Sequence, residues 1–383
     1  MSVTAAAGFV AAGVAAGLKS SGARDLALVV NRGPSQAAAA VFTSNRAKAN
    51  PILWSQQAIA DGVVAAIVLN SGGANCFTGS QGFQTAHATA EAVAEALTLS
   101  PGDVLVCSTG LIGEQLDRAK LEAGIILASD ALSADGGEDA AEAILTTDSH
   151  TKSAMVSGDG WTIGGMAKGA GMLAPALATM LVVITTDADL SSPELDAALR
   201  VAVRTTFNRL DSDGCTSTND QVTLLASGAS GIRPQLPGFA AALQSVCADL
   251  ATQLMADAEG ASHEITIVVS GAASEDDAVE VGRSIARSNL FKAAVFGNDP
   301  NWGRVLAAIG TTSAEFDPYA VDVSMNGVRV CHAGAPDAAR DAVDMSPRAL
   351  LVELELFSGA ATATVLTNDL THDYVHENSA YAS

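Results

Sequence analysis

Between Lys168 and Asp187 the chain reads KGAGMLAPALATMLVVITTD, and the chemistry of this stretch concentrates at Ala178 and Thr179. Gly169, Gly171 and Pro175 make an irregular approach, and the apolar run from Met180 to Thr185 reads as a buried strand. A threonine at the mouth of such a strand, preceded by a small residue, has the layout of a main-chain break. Its hydroxyl attacks the Ala178 carbonyl, the acyl group shifts from nitrogen to oxygen, and water hydrolyses the ester. The chain released this way begins with Thr179. A free α-amine has a reference pKa of about 7.7–8.0, so it can take the proton from its own hydroxyl without a histidine. That is the terminal-threonine form of an activated nucleophile. An Ala-Thr pair is also an ordinary way to begin a strand, and these two residues by themselves leave both readings open.

Other reactive side chains offer less. The five cysteines, Cys76, Cys107, Cys215, Cys247 and Cys331, are odd in number and contain no CxxC pair, so neither a disulfide framework nor a cysteine zinc site is expected. Cys215 reads as a packed thiol. His150, His263, His332, His372 and His376 could each serve as a base, but the HxxxH spacing of His372 and His376 lacks an HExxH pattern and a third ligand. No metal is expected. Twenty basic against 42 acidic residues give a formal charge of −22, which repels phosphate backbones and anionic lipid. Neither nucleic acid nor a membrane is expected as a partner.

The elements that must position these groups are mixed α and β. With 383 residues, 49% hydrophobic and 16% charged, the chain has material for one large layered domain or two ordinary ones. Residues 26–30, 63–69, 104–107, 180–185, 265–269 and 350–356 read as strands, and 85–97, 192–204, 238–256 and 275–287 as helices. Asn326-Gly327 between two β-like runs predicts a tight hairpin, so antiparallel pairing is present. No GxGxxG follows an early strand and no GxxxxGK[ST] occurs, which disfavours a doubly wound nucleotide-binding sheet. The alanine-rich start from Thr4 to Leu18 has the look of a signal-peptide core, yet the first cation, Lys19, follows it. No stretch approaches the roughly 20 uninterrupted apolar residues that cross a bilayer. The expected location is the cytoplasm.

KGAGMLAPALATMLVVITTDA resembles the signature of the ornithine acetyltransferases, the glutamate N-acetyltransferases of arginine biosynthesis. Further matches follow in family order: NSGGAN at Asn70–Asn75, STGLIG at Ser108–Gly113, TTD at Thr146–Asp148, DGCTSTND at Asp213–Asp220, DAEGAS at Asp257–Ser262, DPNWGR at Asp299–Arg304 and NDLTHDYVHENSAYAS at Asn368–Ser383. Several long motifs in one order, spanning nearly the whole chain, are far more specific than any one of them. The resemblance implies an α+β fold, a layered αββα-type sandwich similar to the N-terminal-nucleophile hydrolases though of distinct topology. It also implies self-cleavage between Ala178 and Thr179 into chains 1–178 and 179–383. These would stay interlocked as one catalytic unit, with room for a smaller C-terminal subdomain, and assemble as a heterotetramer or larger.

By the same resemblance Thr179 is the nucleophile, Thr109 and Gly110 form the oxyanion hole, and Thr146, Lys168, Thr179, Glu259, Asn378 and Ser383 bind substrate. Thr147 is the alternative to Thr146. Lys168 suits an α-carboxylate, Glu259 a cationic amine, and Asn378 and Ser383 close the site by hydrogen bonds. Cys76-Phe77-Thr78 and Ser149-His150-Thr151 depart from the family pattern, in loop shape rather than at the nucleophile.

The implied reaction is a double displacement without cofactor. Thr179 takes the acetyl group from N-acetylornithine, ornithine leaves, and glutamate collects the acetyl group. Acetyl-CoA as a second donor is left open. Two rivals stand beside it: a self-processed aminopeptidase or amidohydrolase in which water resolves the same acyl-threonine, and an uncleaved amino-acid-binding module.

Overall fold

The computed structural model describes residues 2–172 and 180–380; Ala178, Thr179 and Ser383 lie outside the described residues. The chain divides into two compact units. One holds the described residues of 1–172, 176–208 and 216–254, the other those of 209–215 and 255–383.

Among its described residues the first unit contains nine strands: β1 (Phe9–Val14), β2 (Leu26–Asn31), β3 (Ala37–Phe42), β4 (Ala66–Asn70), β5 (Val104–Ser108), β6 (Lys152–Ser157), β7 (Thr162–Lys168), β8 (Leu181–Thr186) and β9 (Gln221–Ala226). Its helices are α1 (Asn50–Ala58), α2 (Gly79–Leu97), α3 (Arg118–Asp130), α4 (Gly137–Ala143), α5 (Ser192–Thr205) and α6 (Leu236–Ala256). The strands form a four-stranded sheet ordered β1-β2-β4-β5 and a five-stranded sheet ordered β3-β9-β8-β7-β6. Phe9, Val29, Ile67 and Leu105 of the first sheet share one apolar layer with Met166, Leu181, Val183 and Leu225 of the second. Alternation sends the opposite side chains outward, so Leu28, Val68 and Val106 meet Val93 of α2 and Leu121 and Ile125 of α3. On the far side α5 lies against β3, and Leu250 of α6 closes on Gly165 of β7. Helix, sheet, sheet, helix is the layering expected.

Strands β2, β4, β5, β8 and β9 are buried at every residue; the first four read as apolar runs for that reason, whereas Gln221 and Thr223 keep β9 from doing so. β4 and β5 are parallel with α2 as their crossover, as are β8 and β9 across α5. β5 ends one side of its sheet, and α1 covers it there. Trp54 Nε1 donates to the Val104 carbonyl at 3.0 Å and Ser55 Oγ to that of Val106 at 2.8 Å. The strand expected at 63–69 begins three residues later than its apolar start. Val63 bridges Ala37 and the Val64 N–H bonds Gln36, so these residues pair with the start of β3 in the other sheet. The helix expected at 85–97 begins at Gly79. The alanine-rich N-terminal stretch holds β1, paired antiparallel with β2, and is a core strand of this unit. α6 is long and apolar enough by composition to cross a membrane. Its Phe239, Leu243, Val246, Leu250 and Leu254 are buried in this unit.

The second unit is built on a six-stranded mixed sheet. In chain order its strands are β10 (Glu264–Ala272), β11 (Asp322–Met325), β12 (Val328–His332), β13 (Ala335–Pro336), β14 (Ala349–Glu355) and β15 (Ala361–Asn368), arranged β13-β12-β11-β14-β10-β15. Helices α7 (Glu275–Ala286), α8 (Asn289–Phe296) and α9 (Trp302–Ile309) cover one face, where Ile265, Ile267 and Val269 meet Val281, Ile285, Phe291 and Val305. The last element among the described residues is α10 (His372–Ala380). The predicted hairpin joins β11 to β12, with Asn326 at φ 46° and Gly327 at φ 79°, the two positive values the turn needs.

Candidate active site

In the first unit, the end of β5 runs straight into Thr109 and Gly110. The Thr109 N–H donates to the Asn70 carbonyl at 2.9 Å, and its carbonyl accepts from Gly73 at 2.9 Å, which clamps the turn against the Asn70–Gly73 loop. Gly110 sits at φ 123°, and a Cβ there would lie 2.8 Å from the Gly73 nitrogen. Both conformation and space therefore require glycine. Asn219 ties the same loops together, its Nδ2 donating to the carbonyls of Ala74 at 2.6 Å and Ser108 at 2.8 Å.

Lys168, the last residue of β7, is 1% exposed and directs its ammonium to Thr146 Oγ1 at 2.8 Å and Thr109 Oγ1 at 3.5 Å. An ammonium has no lone pair, so the hydroxyl is the acceptor in both contacts. The Thr109 hydroxyl therefore keeps its own proton for a further acceptor, which is what an oxyanion needs, while the Thr146 hydroxyl directs its proton to Asp148 Oδ2 at 3.5 Å.

Behind Lys168 stands Asp148, which sequence reasoning did not single out. Its Oδ1 accepts from Lys152 Nζ at 2.8 Å and from the Gly169 N–H at 2.6 Å, and its Oδ2 accepts from the Thr146 N–H at 3.0 Å and lies 3.7 Å from Lys168 Nζ. Burial alone would raise this carboxyl, but Lys168 and then Lys152 hold it well below the ordinary value. Lys152 and Asp148 side chains are fully buried, so the cluster places two ammonium groups on one carboxylate inside a strongly acidic protein. The Lys19 ammonium donates to the Leu145 carbonyl at 2.7 Å and secures the loop one residue before Thr146.

In the second unit, Glu259 lies in the turn after α6 and its Oε2 accepts from Asn378 Nδ2 of α10 at 3.0 Å. Gly260 permits this approach. It sits at φ 61°, and a Cβ would come within 2.2 Å of the Tyr374 nitrogen. Thr371 Oγ1 donates to the Gly260 carbonyl at 2.6 Å and accepts from the Tyr374 N–H at 2.9 Å. Asp369 anchors the base of the helix by accepting from the Ser262 and His263 N–H groups at 2.9 and 3.0 Å and pairing with His263 Nδ1 at 3.0 Å. His263 Nε2 faces the Met345 carbonyl at 3.2 Å, so both ring nitrogens are engaged in holding the turn.

The expected residues thus fall in two groups, Thr109, Gly110, Thr146 and Lys168 in one unit and Glu259 with Asn378 in the other. Cys215 corrects its expectation: it is exposed, because it sits in the turn Asp213–Cys215, whose Cys215 N–H donates to Asp213 Oδ1 at 3.2 Å. Cys107 and Cys247 are buried, and burial pushes both thiols up, away from reactive thiolate. Among the described residues no group of three or more His, Cys, Asp or Glu side chains could hold a metal ion.

The ArgJ family model matches residues 10–383. The chain is 63% identical to the "Arginine biosynthesis bifunctional protein ArgJ" of Streptomyces avermitilis and 60% to that of Thermobifida fusca, in each case over the full length of both chains. It is also similar to a solved ornithine acetyltransferase complexed with ornithine from Mycobacterium tuberculosis. That match is 53% identical over 47% of this chain and 96% of the solved one, with a TM-score of 0.45.

Proposed function

The chain belongs to the ArgJ family, and on that premise we propose that it transfers acetyl from N-acetylornithine to glutamate through an acetyl-threonine on Thr179, yielding ornithine and N-acetylglutamate. The observation that carries this reading is the Lys168 cluster beside the Thr109–Gly110 turn, in a chain matched end to end by its relatives.

The reaction begins with a cut between Ala178 and Thr179, which frees the α-amine that activates the threonine hydroxyl. The hydroxyl attacks the acetyl carbonyl, and the oxygen that gains charge is received by the Thr109 hydroxyl and the Gly110 N–H. Losing one such donor typically costs about 2.7–4 kcal/mol of transition-state stabilisation. Lys168 and Thr146 receive the α-carboxylate, which the acidic protein would otherwise repel. Glu259 holds the ornithine amine, with Asn378 and Ser383 closing the site from the C-terminal tail. Ornithine leaves with the proton taken from the hydroxyl, and glutamate attacks the acetyl-threonine in the reverse sense. Donor and acceptor are both amides or amines, so the exchange is nearly balanced and calls for no cofactor. Acetyl-CoA serves as a second donor if the same threonine accepts a thioester. The two chains, 1–178 and 179–383, act together as a heterotetramer or larger in the cytoplasm.

Intact-mass analysis tests the first step: two chains are expected for the native protein and one for Thr179→Ala. Trapping with N-acetylornithine should leave acetyl on Thr179, and acetyl on another residue overturns the assignment. Ornithine release should rise with glutamate, whereas equal rates with and without it indicate a hydrolase.

A further inference from the structure

Asp220 stands immediately before β9, and Met180 immediately before β8, the parallel strand paired with it through Leu181 and Gln221. The two residues are neighbours at the same end of the sheet. Asp220 Oδ1 accepts from the Met180 N–H at 3.0 Å, and the Met180 carbonyl accepts from the Gln221 N–H at 3.2 Å. Asp220 is fully buried, and its second oxygen, Oδ2, has no hydrogen-bond partner among the described residues. An ionised carboxylate with an orphaned oxygen is expensive in such a place, whereas a carboxylic acid with its proton on Oδ2 is not. Burial, the largest influence, drives its proton affinity well above that of an ordinary aspartate. The Met180 N–H, the Ser217 hydroxyl and the charged group that faces it, Lys168, pull the other way without reversing it.

The N–H that Asp220 holds belongs to the peptide bond formed by the Thr179 carbonyl. We propose that Asp220 carries the proton in self-cleavage, fixing the Thr179–Met180 peptide with one oxygen and handing a proton to the Thr179 nitrogen with the other. The inference rests on the reading that the chain cuts itself between Ala178 and Thr179. As the Thr179 hydroxyl oxygen bonds to the Ala178 carbonyl carbon, its proton passes to the carboxyl in concert with the carboxyl giving up its own. As the carbon–nitrogen bond breaks, the carboxyl's own proton passes to the departing nitrogen. The acid is regenerated, the ester and the free amine are formed, and no other reactant enters until water opens the ester. The need is physical, since an amide nitrogen leaves only after it gains a proton, and Thr179 has no free amine before the cut.

Asp220→Asn retains an oxygen for the Met180 N–H and removes the mobile proton. The full-length chain, made by cell-free translation and chased between pH 5 and 9, is followed by intact mass. A positioned acid–base group contributes about 10²–10⁴-fold, so Asp220→Asn should cut at least 100-fold more slowly. The wild-type rate should fall as pH rises and the acid loses its proton. Ser217→Ala keeps the carboxyl and removes a donor that favours its ionised form, so the fall should move to higher pH. Cutting of Asp220→Asn at the wild-type rate overturns the inference. Should that variant fail to fold by far-UV circular dichroism, an unmoved pH profile for Ser217→Ala overturns it instead. Failure of the wild-type chain to cut at Thr179 sinks the underlying reading, and is told apart because it needs no variant.

Discussion

The Lys168 cluster of the first unit and the Glu259–Asn378 pair of the second are built in opposite ways. Lys168, Asp148 and Lys152 are dry and mutually charged, with both oxygens of Asp148 engaged. Glu259 is half-buried, and Asn378 is exposed on the terminal helix. In low dielectric a charge must be compensated by fixed partners, so the first arrangement is preorganised and intolerant of change. Water compensates the second, which can therefore be remodelled at little cost to folding.

The contrast is broken most readily at Asp148. Asp148→Ala leaves two buried ammonium groups without their carboxylate and should cost about 3–5 kcal/mol of stability. Urea unfolding of the purified variant measures it, and a loss near zero would show the cluster to be solvated. Lys168→Met should cost less in stability, because Lys152 still partners Asp148. It should weaken acetylornithine and glutamate binding by roughly 10–150-fold, the worth of one charge-assisted hydrogen bond of about 1.5–3 kcal/mol. Steady-state KM for both substrates checks this.

A third test sharpens the comparison inside the second unit, where Asp211 is one of the buried charges. Burial raises it to about 6 from 3.8, against the opposing pull of Arg287, and its Oδ1 has no partner among the described residues. The folded form thus binds the proton more tightly than the unfolded chain. That stabilisation is complete below pH 4 and is lost as pH rises to about 6. The difference is worth about 3 kcal/mol at most. Unfolding free energies of wild type and Asp211→Asn between pH 4 and 7 should differ in slope over that window. The smallest effect belongs to the tail: Asn378→Ala should change stability by no more than about 0.5 kcal/mol. It should nonetheless raise KM for acetylornithine while leaving acetyl loading of Thr179 intact.

Of the fully buried parallel strands, β4, β5 and β8 could be read directly, since both faces demand apolar side chains and leave an unbroken run; β9 could not, because Gln221 and Thr223 interrupt its apolar pattern. β3, with sequence AAAAVF, could not: alanine favours helices, and only pairing with β9 makes the segment a strand. The motif residues of the first unit were found as a set, because the turn at Thr109–Gly110 and the end of β7 each sit within a contiguous signature. Asp148 and Asp220 were quoted inside motifs but given no role. Their importance comes from partners distant along the chain, such as Lys168 for the one and Met180 for the other. Lys152 falls in none of the motifs. Nothing local announces that a lysine at the start of a strand is fully enclosed.

The five-stranded sheet runs β3-β9-β8-β7-β6, so the proposed cut would leave β3, β6 and β7 on one polypeptide and β8 and β9 on the other. Strands of the first product then border the β9-β8 pair of the second on both sides, β3 against β9 and β7 against β8. Recovery from denaturant would become a second-order encounter for the mature protein, its yield falling on dilution. The uncut Thr179→Ala chain would regain its structure at a rate independent of concentration. Maturation would thereby exchange a unimolecular folding equilibrium for one that depends on the concentration of the two pieces.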